Sequence, residues 1–306
     1  MKGFLIKCFV FLIIFFILEK SLIFLRNSLP EKELDKRLEL IINGKINADI
    51  IITGSSRGAR DIIASQIAGS LHNSAYNLSY PGSNIEFHEY LLSELIKHGN
   101  KKPKLLILAV DDPSELAGND IINFRLDRLY PLVKYQSIRN TLIERGEKNK
   151  FLSGLFTVHQ LSISNFDIRK KHFKDQDTLL SDGSMPISWQ SKKFKPVFST
   201  NYNVYKIKDE KQNKLNSFNN LIKICCDNNI KILLACAPNF GNPTIGFKER
   251  IQDVAGKNIN LMSYDTTNSI YRNADYYFDL GHLKINGATI FTTEIIDFIK
   301  DKKILD

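Results

Sequence analysis

Cysteine is scarce in this sequence. Four occur among 306 residues, at Cys8, Cys225, Cys226 and Cys236, and neither their number nor their spacing fits a metal site or the disulfide framework of a small domain. They read as buried apolar residues. Cys225 and Cys226 cannot share one helix face, and a bridge from either to Cys236 would form only after folding, so cysteine usage leaves the redox compartment open. Nucleotide signatures are missing as well: there is no Gly-x-x-x-x-Gly-Lys loop and no Gly-x-Gly-x-x-Gly fingerprint. No internal repeat or low-complexity segment is present, which excludes solenoids and propellers. His72, His88, His98, His159 and His172 lack metal-ligand spacing and read mostly as surface histidines.

The formal charge of +9 would suit nucleic acid, an anionic membrane or an acidic glycan, but the basic residues are scattered. The short clusters Arg169 to Lys171 and Lys192 to Lys195 have no regular aromatic interleaving, so they read as solvated surface charge and no nucleic-acid partner is expected. With 43% hydrophobic and 25% charged residues, the composition excludes a disordered chain and a polytopic membrane protein.

What is present begins with a long apolar stretch. Phe4 to Leu25 is almost wholly apolar, unbroken from Cys8 to Leu18, and about 20 such residues span a bilayer as a helix. Lys7 and Lys20 lie close enough to its ends to snorkel. No small-residue cleavage pattern follows, so residues 1–27 read as an uncleaved, single-pass transmembrane signal anchor. Lys2 and Lys7 on one side nearly balance Lys20 and Arg26 on the other, so charge alone does not orient it. Leu34, Leu38, Ile41 and Ile42 then predict a short amphipathic lead-in helix over Glu31 to Ile42.

Residues 28–306 read as one α/β domain. Strand-like runs at Asp49 to Thr53, Ala75 to Ser79, Lys104 to Val110, Lys231 to Ala237 and Asn258 to Tyr264 alternate with helical spacing. The helices fall at Arg60 to Ala68, Ile85 to His98, Asp209 to Asn229, Gly246 to Ala255 and Ile285 to Lys300. That alternation predicts a three-layer α/β/α sandwich around a central parallel sheet, flavodoxin-like in type. From 113 to about 200 the pattern weakens into helical patches around Arg125 to Arg145 and a polar stretch with Asp182-Gly183 and Trp189, read as an insertion. Tyr130, Tyr135 and Trp189 could stack on sugar rings or simply pack the insertion.

In such sheets, sites form beyond the carboxyl ends of the strands. After the first strand comes Gly54-Ser55-Ser56-Arg57-Gly58, where a serine either caps the next helix or presents its hydroxyl as a nucleophile. Near the C-terminus stands Asp279-Leu280-Gly281-His282-Leu283. An aspartate three residues before a histidine can orient the imidazole and leave its other nitrogen to accept a serine proton, or the pair can be surface groups at the last helix.

Together these segments resemble the SGNH or GDSL-like hydrolase superfamily, whose first block supplies a nucleophile and whose last block supplies an Asp-x-x-His acid and base. The resemblance covers about residues 48 to 112 and 209 to 300. It implies Ser56 as nucleophile and Asp279 and His282 as its partners, with Asn286-Gly287-Ala288 opening the final helix. Asn77 to Ser83 resembles the family's second block, which implies Gly82 as an oxyanion donor beside the N–H of Ser56. The third block departs: Ala109-Val110-Asp111-Asp112 stands where the family has Gly-x-Asn-Asp. An ionised Asp111 would repel an oxyanion. Either Asp111 is held protonated, or Asn84 or Arg57 substitutes, or the fold is kept without hydrolysis.

A narrower resemblance is to membrane-anchored members acting on cell-envelope polymers, such as the alginate acetylation proteins and the D-alanyl-transfer protein of the teichoic-acid pathway. It implies an extracytoplasmic domain that moves an acyl group to or from a glycan through an acyl-Ser56 intermediate, as esterase or O-acyltransferase. The implied partners are an acylated glycan or acyl donor, the membrane and envelope polysaccharide assembly proteins; neither metal nor organic cofactor is expected. The alternative is a catalytically silent glycan-binding or scaffold protein of an envelope complex.

Overall fold

The computed structural model describes residues 1–111, 113–118, 121–167, 169, 173, 178–189, 198, 201–241 and 244–305. Asp112, His172 and the basic residues at 170–171 and 192–195 lie outside them. Contacts divide the chain into two units, one of residues 1–39 and 125–172, the other of residues 40–124 and 173–306.

The first unit is built on helix α1 (Lys2–Ser28), which is long and apolar enough to cross a membrane. It continues into a 3-10 turn at Leu29–Lys32, and a separate helix covers Arg37–Ile42, so the lead-in read as one helix is two pieces. The break is local. Glu33 is extended, and the Asp35 carboxylate accepts the N–H of Arg37 at 3.2 Å, the competition with helical bonding that aspartate offers. The helices Leu126–Leu129, Gln136–Glu144 and Lys150–Leu155 complete the unit.

The second unit holds a five-stranded parallel sheet of β1 (Ile50–Gly54), β2 (Ala75–Asn77), β3 (Leu105–Val110), β4 (Lys231–Cys236) and β5 (Asn260–Ser263), in the order β2-β1-β3-β4-β5. Strands β1 and β3 are buried along their whole length, as expected of near-continuous Ile and Leu runs covered on both faces. Alternation along each strand sends Ile50, Ile52, Leu105, Ile107, Leu233 and Ala235 into one core cluster with Phe291, Ile295 and Ile299. The last three belong to α7 (Ile285–Asp301). Before it in sequence come α2 (Ser56–Asp61), α3 (Ala64–Leu71), α4 (Ile85–Lys97), α5 (Gln212–Asp227) and α6 (Phe247–Ala255). Helices α2 and α3 pack against α7, while α4 and α5 pack together against the sheet. The fold is the three-layer α/β/α sandwich.

The helix predicted over Arg60 to Ala68 is interrupted at Ile62 and Ile63, both extended. The N–H of Ile63 donates to Thr292 Oγ1 at 3.1 Å, that of Ala64 to Ser184 Oγ at 2.9 Å, and that of Ser65 to the Asp182 carboxylate at 2.7 Å. The cap of α3 therefore comes from distant segments. Asp182 also offers its carbonyl to the N–H of Asn77 at 2.8 Å, which covers the outer edge of β2. Cys225 and Cys236 are buried, and burial pushes the Cys225 thiol up to about 12.

Candidate active site

The strand order reverses direction between β1 and β3, and a crevice beyond the carboxyl ends of these two strands is where such sheets bind ligands. Ser55 and Ser56 follow β1 at that point. Close approach of the backbone requires glycine here. A Cβ on Gly54 would lie 2.8 Å from the carbonyl oxygen of Ala109 on β3, and one on Gly58 would collide with Ser79 Oγ. The turn is thus pressed between β3 and the loop after β2, leaving Ser56 half-buried at the first position of α2.

A hairpin brings the second part. Strands β6 (Tyr277–Asp279) and β7 (His282–Leu283) are antiparallel, with Asp279 directly opposite His282 across the turn Leu280-Gly281. Asp279 Oδ1 accepts the N–H of Gly281 at 2.9 Å, and His282 Nδ1 lies 2.8 Å from Oδ1 and 2.9 Å from Oδ2. A nitrogen between two carboxylate oxygens carries the proton, so Nε2 is the acceptor. Nε2 lies 2.7 Å from Ser56 Oγ. The structure therefore brings Ser56, His282 and Asp279 into one hydrogen-bonded chain, with the geometry of a nucleophile, its base and the group that orients the base. Burial raises the Asp279 carboxyl, but the hydrogen bond and charge of His282, the Gly281 N–H and Arg60 outweigh it and hold Asp279 below its ordinary value.

The turn Tyr80-Pro81-Gly82-Ser83 lies beside this chain. The N–H of Ser83 donates to the carbonyl of Tyr80 at 3.0 Å, and Gly82 has φ of +77°, as the third position of a type II turn demands. Its ends are fastened to β1, since the carbonyl of Gly54 accepts both the N–H of Tyr80 at 3.0 Å and the hydroxyl of Ser83 at 3.2 Å. Gly82 is thereby anchored to the strand end that leads into Ser56. Asn84 is committed elsewhere: it is the N-cap of α4, its Oδ1 accepting the N–H of Phe87 at 3.3 Å and its Nδ2 donating to Glu86 at 3.1 Å.

Arg57 and Asp111 stand together, with Arg57 Nε 3.8 Å from Asp111 Oδ1. Ser55 donates a hydrogen bond to the same carboxyl, and the N–H of Asp111 donates to Glu115 at 2.8 Å. Burial first, and then the charge of Glu115, push Asp111 up; Arg57, Ser55 and His88 pull against them, and the net direction is upward. A raised value favours the neutral acid, which does not repel an oxyanion.

Two residues of this region carried no signal that sequence reasoning used. His88 is fully buried, contrary to the surface position read for most histidines; its Nε2 lies 2.9 Å from Ser83 Oγ and its Nδ1 3.6 Å from Glu115. It braces the Gly82 turn from behind. Asp61 is also fully buried, and its Oδ1 accepts the N–H of Leu283 at 2.9 Å. Burial raises it well above the ordinary carboxylate range despite Arg57 and Arg60. Five positions on from Ser56 along α2, Asp61 falls about 140° around the helix, so spacing gave no pointer to it. Among the described residues, no group of three or more His, Cys, Asp or Glu side chains is placed to hold a metal ion.

No family model and no curated protein matches this chain. Among solved structures it is similar to one from Bacteroides fragilis NCTC 9343, a protein proposed to be an acylhydrolase. The TM-score is 0.41 and the identity 10%, over 89% of this chain and 97% of that one.

Proposed function

We propose that this chain is a membrane-anchored, SGNH-like serine esterase or O-acyltransferase acting on acyl groups of cell-envelope or extracellular glycans. The observation that carries the proposal is the Ser56–His282–Asp279 chain, closed at 2.7 Å and 2.8 Å between residues 226 positions apart in sequence. In the proposed reaction His282 Nε2 takes the Ser56 proton as Oγ attacks the acyl carbonyl, and the Asp279 carboxylate stabilises the imidazolium. The N–H groups of Ser56 and Gly82 hold the oxyanion, with Arg57 adding positive charge nearby. His282 then protonates the departing alkoxide, which leaves an acyl-Ser56 ester. Water or a sugar hydroxyl, deprotonated by the same nitrogen, releases the acyl group and restores the serine.

The glycan assignment rests on the resemblance to membrane-anchored envelope enzymes. Trp189 is an exposed aromatic residue of the same unit, 41% exposed and packed edge-on at 5.1 Å against Phe278, and so is available to stack on a sugar ring. Residues 1–27 are proposed as the anchor, with the catalytic unit on the extracytoplasmic side. Envelope polysaccharide assembly proteins are the proposed partners.

The test is labelling of the full-length protein in detergent with a serine-reactive fluorophosphonate. Wild type should label, while Ser56→Ala and His282→Ala should not. A folded wild type that fails to label would favour the second reading, a glycan-binding scaffold without catalysis, which has its own support in Asp111 standing where the resembled family has asparagine.

A further inference from the structure

Polarity is inverted in one stretch of the first unit. Between Lys150 and Phe166 the large apolar side chains Phe151, Leu155, Val158, Ile163 and Phe166 are exposed, Ile163 at 92% and Phe151 at 72%. The polar residues Ser153, Thr157 and Asn165 are buried instead. The polar interior is satisfied: Ser153 Oγ donates to the carbonyl of His159, Asn165 Nδ2 to that of Tyr130 at 2.9 Å, and Asn165 Oδ1 accepts the N–H of Ser162 at 2.8 Å. Single exposed apolar residues are ordinary in a water-soluble surface, but five within 17 positions form the kind of patch that meets another apolar phase.

The same stretch rests on α1 at a defined level. The N–H of Thr157 donates to the carboxylate of Glu19, the residue that ends the unbroken apolar run. Gln160 Oε1 accepts from Arg26 at 2.8 Å on the polar side of that boundary. On the apolar side, the ring of Phe156 meets that of Phe15 at 6.3 Å. Phe15 is four residues deeper than Glu19, about 6 Å at 1.5 Å per residue. That depth falls within the roughly 5–10 Å to which interfacial helices bury their apolar face. Lys150, exposed at the start of the stretch, supplies positive charge suited to anionic headgroups, whereas Arg169, just after it, is paired with Asp167 at 2.6 Å.

We propose that residues 150–166 are a second membrane contact, a foot embedded in the interfacial layer of an anionic bilayer beside the spanning helix. The proposal rests on the membrane anchoring proposed for α1. Phe151, Leu155, Val158, Ile163 and Phe166 enter the acyl boundary, while Lys150 stays at headgroup level. The partner is lipid, continuous with the lipid around α1.

Trp189 is the single tryptophan, so a Trp189→Phe background is silent and one new tryptophan reports its own surroundings. Full-length variants carrying Phe11→Trp, Phe151→Trp, Ile163→Trp or Tyr202→Trp, all at exposed positions, are reconstituted into phosphatidylcholine–phosphatidylglycerol vesicles with brominated acyl chains. Quenching of the Phe151→Trp and Ile163→Trp emission, to about the level of Phe11→Trp and at least twofold beyond that of Tyr202→Trp, is the expected result. Quenching of Phe11→Trp with either foot position at the Tyr202→Trp level overturns the foot and leaves the anchor standing. An unquenched Phe11→Trp overturns both.

Discussion

Leu283 donates its backbone N–H to Asp61 Oδ1 at 2.9 Å, so the residue directly after His282 is fastened to a carboxyl without solvent exposure. The hairpin carrying Asp279 and His282 is thereby tied to α2, whose first residue is Ser56. The bond places Ser56 and His282 on elements joined at a second point besides their own contact.

Asp61 has a raised value in the folded chain because of burial. Between the ordinary carboxylate value and that raised value, the folded protein holds a proton the unfolded chain has released, so this group makes stability fall as pH rises. Asp61→Asn retains a carbonyl for the Leu283 N–H and removes the titration. Its melting temperature relative to wild type should therefore increase steadily with pH across that window. A difference that is flat with pH would count against a buried, neutral Asp61.

Asp279 is shifted the other way. Its carboxylate stays charged into mild acid, so its contribution to stability is present above the ordinary carboxylate value and lost as pH falls through the lowered folded value. Asp279→Asn should therefore melt below wild type at neutral pH, the gap closing as acid protonates the wild-type carboxylate, and should label with fluorophosphonate about 10⁴-fold more slowly, the cost of losing the group that sets the histidine tautomer. Labelling at the wild-type rate would remove Asp279 from the chain of roles.

Asp111 offers a test at higher pH. Because burial and Glu115 raise it, wild type should lose labelling rate as pH climbs through the Asp111 titration and a negative charge appears beside Ser55. Asp111→Asn should match wild type where Asp111 is neutral and keep its rate where wild type declines. Parallel profiles for the two proteins would show that the Asp111 charge does not reach the reacting groups.

Asp182 accepts the N–H of Ser65 at 2.7 Å and that of Ser184 at 2.9 Å. Asp182→Ala should cost about 1 kcal/mol in urea denaturation, the typical value of a helix N-cap. The loss should be smaller in Asp182→Asn, which keeps an acceptor.

The sandwich was legible because its signals are local. Ile50 to Thr53 and Leu105 to Val110 are apolar throughout, as fully covered parallel strands must be, and the spacing of Ile295, Ile296 and Ile299 marks the inner face of α7. The break at Ile62 and Ile63 was not legible, since the groups that fix it, Ser184, Asp182 and Thr292, lie more than a hundred residues away. In the site, Ser56, Asp279 and His282 were marked by residue type beside small turn residues. Asp61 and His88 were not, because a carboxyl or imidazole becomes informative only once burial removes its solvent. Asn84 shows the converse: its residue type suited an oxyanion donor, and its position before a helix suited a cap, which is the use its side chain has.

Ser56 and the imidazole nitrogen beside its hydroxyl are separated by 226 positions. In a chain made from its N-terminus, β1 and α2 are synthesised long before the Asp279–His282 hairpin exists. Through that interval Ser56 has no imidazole beside it and is an ordinary alcohol. Under the proposed chemistry, reactivity is timed by synthesis: Ser56 waits for the hairpin and α7, and a chain interrupted before them carries the serine without its proposed base.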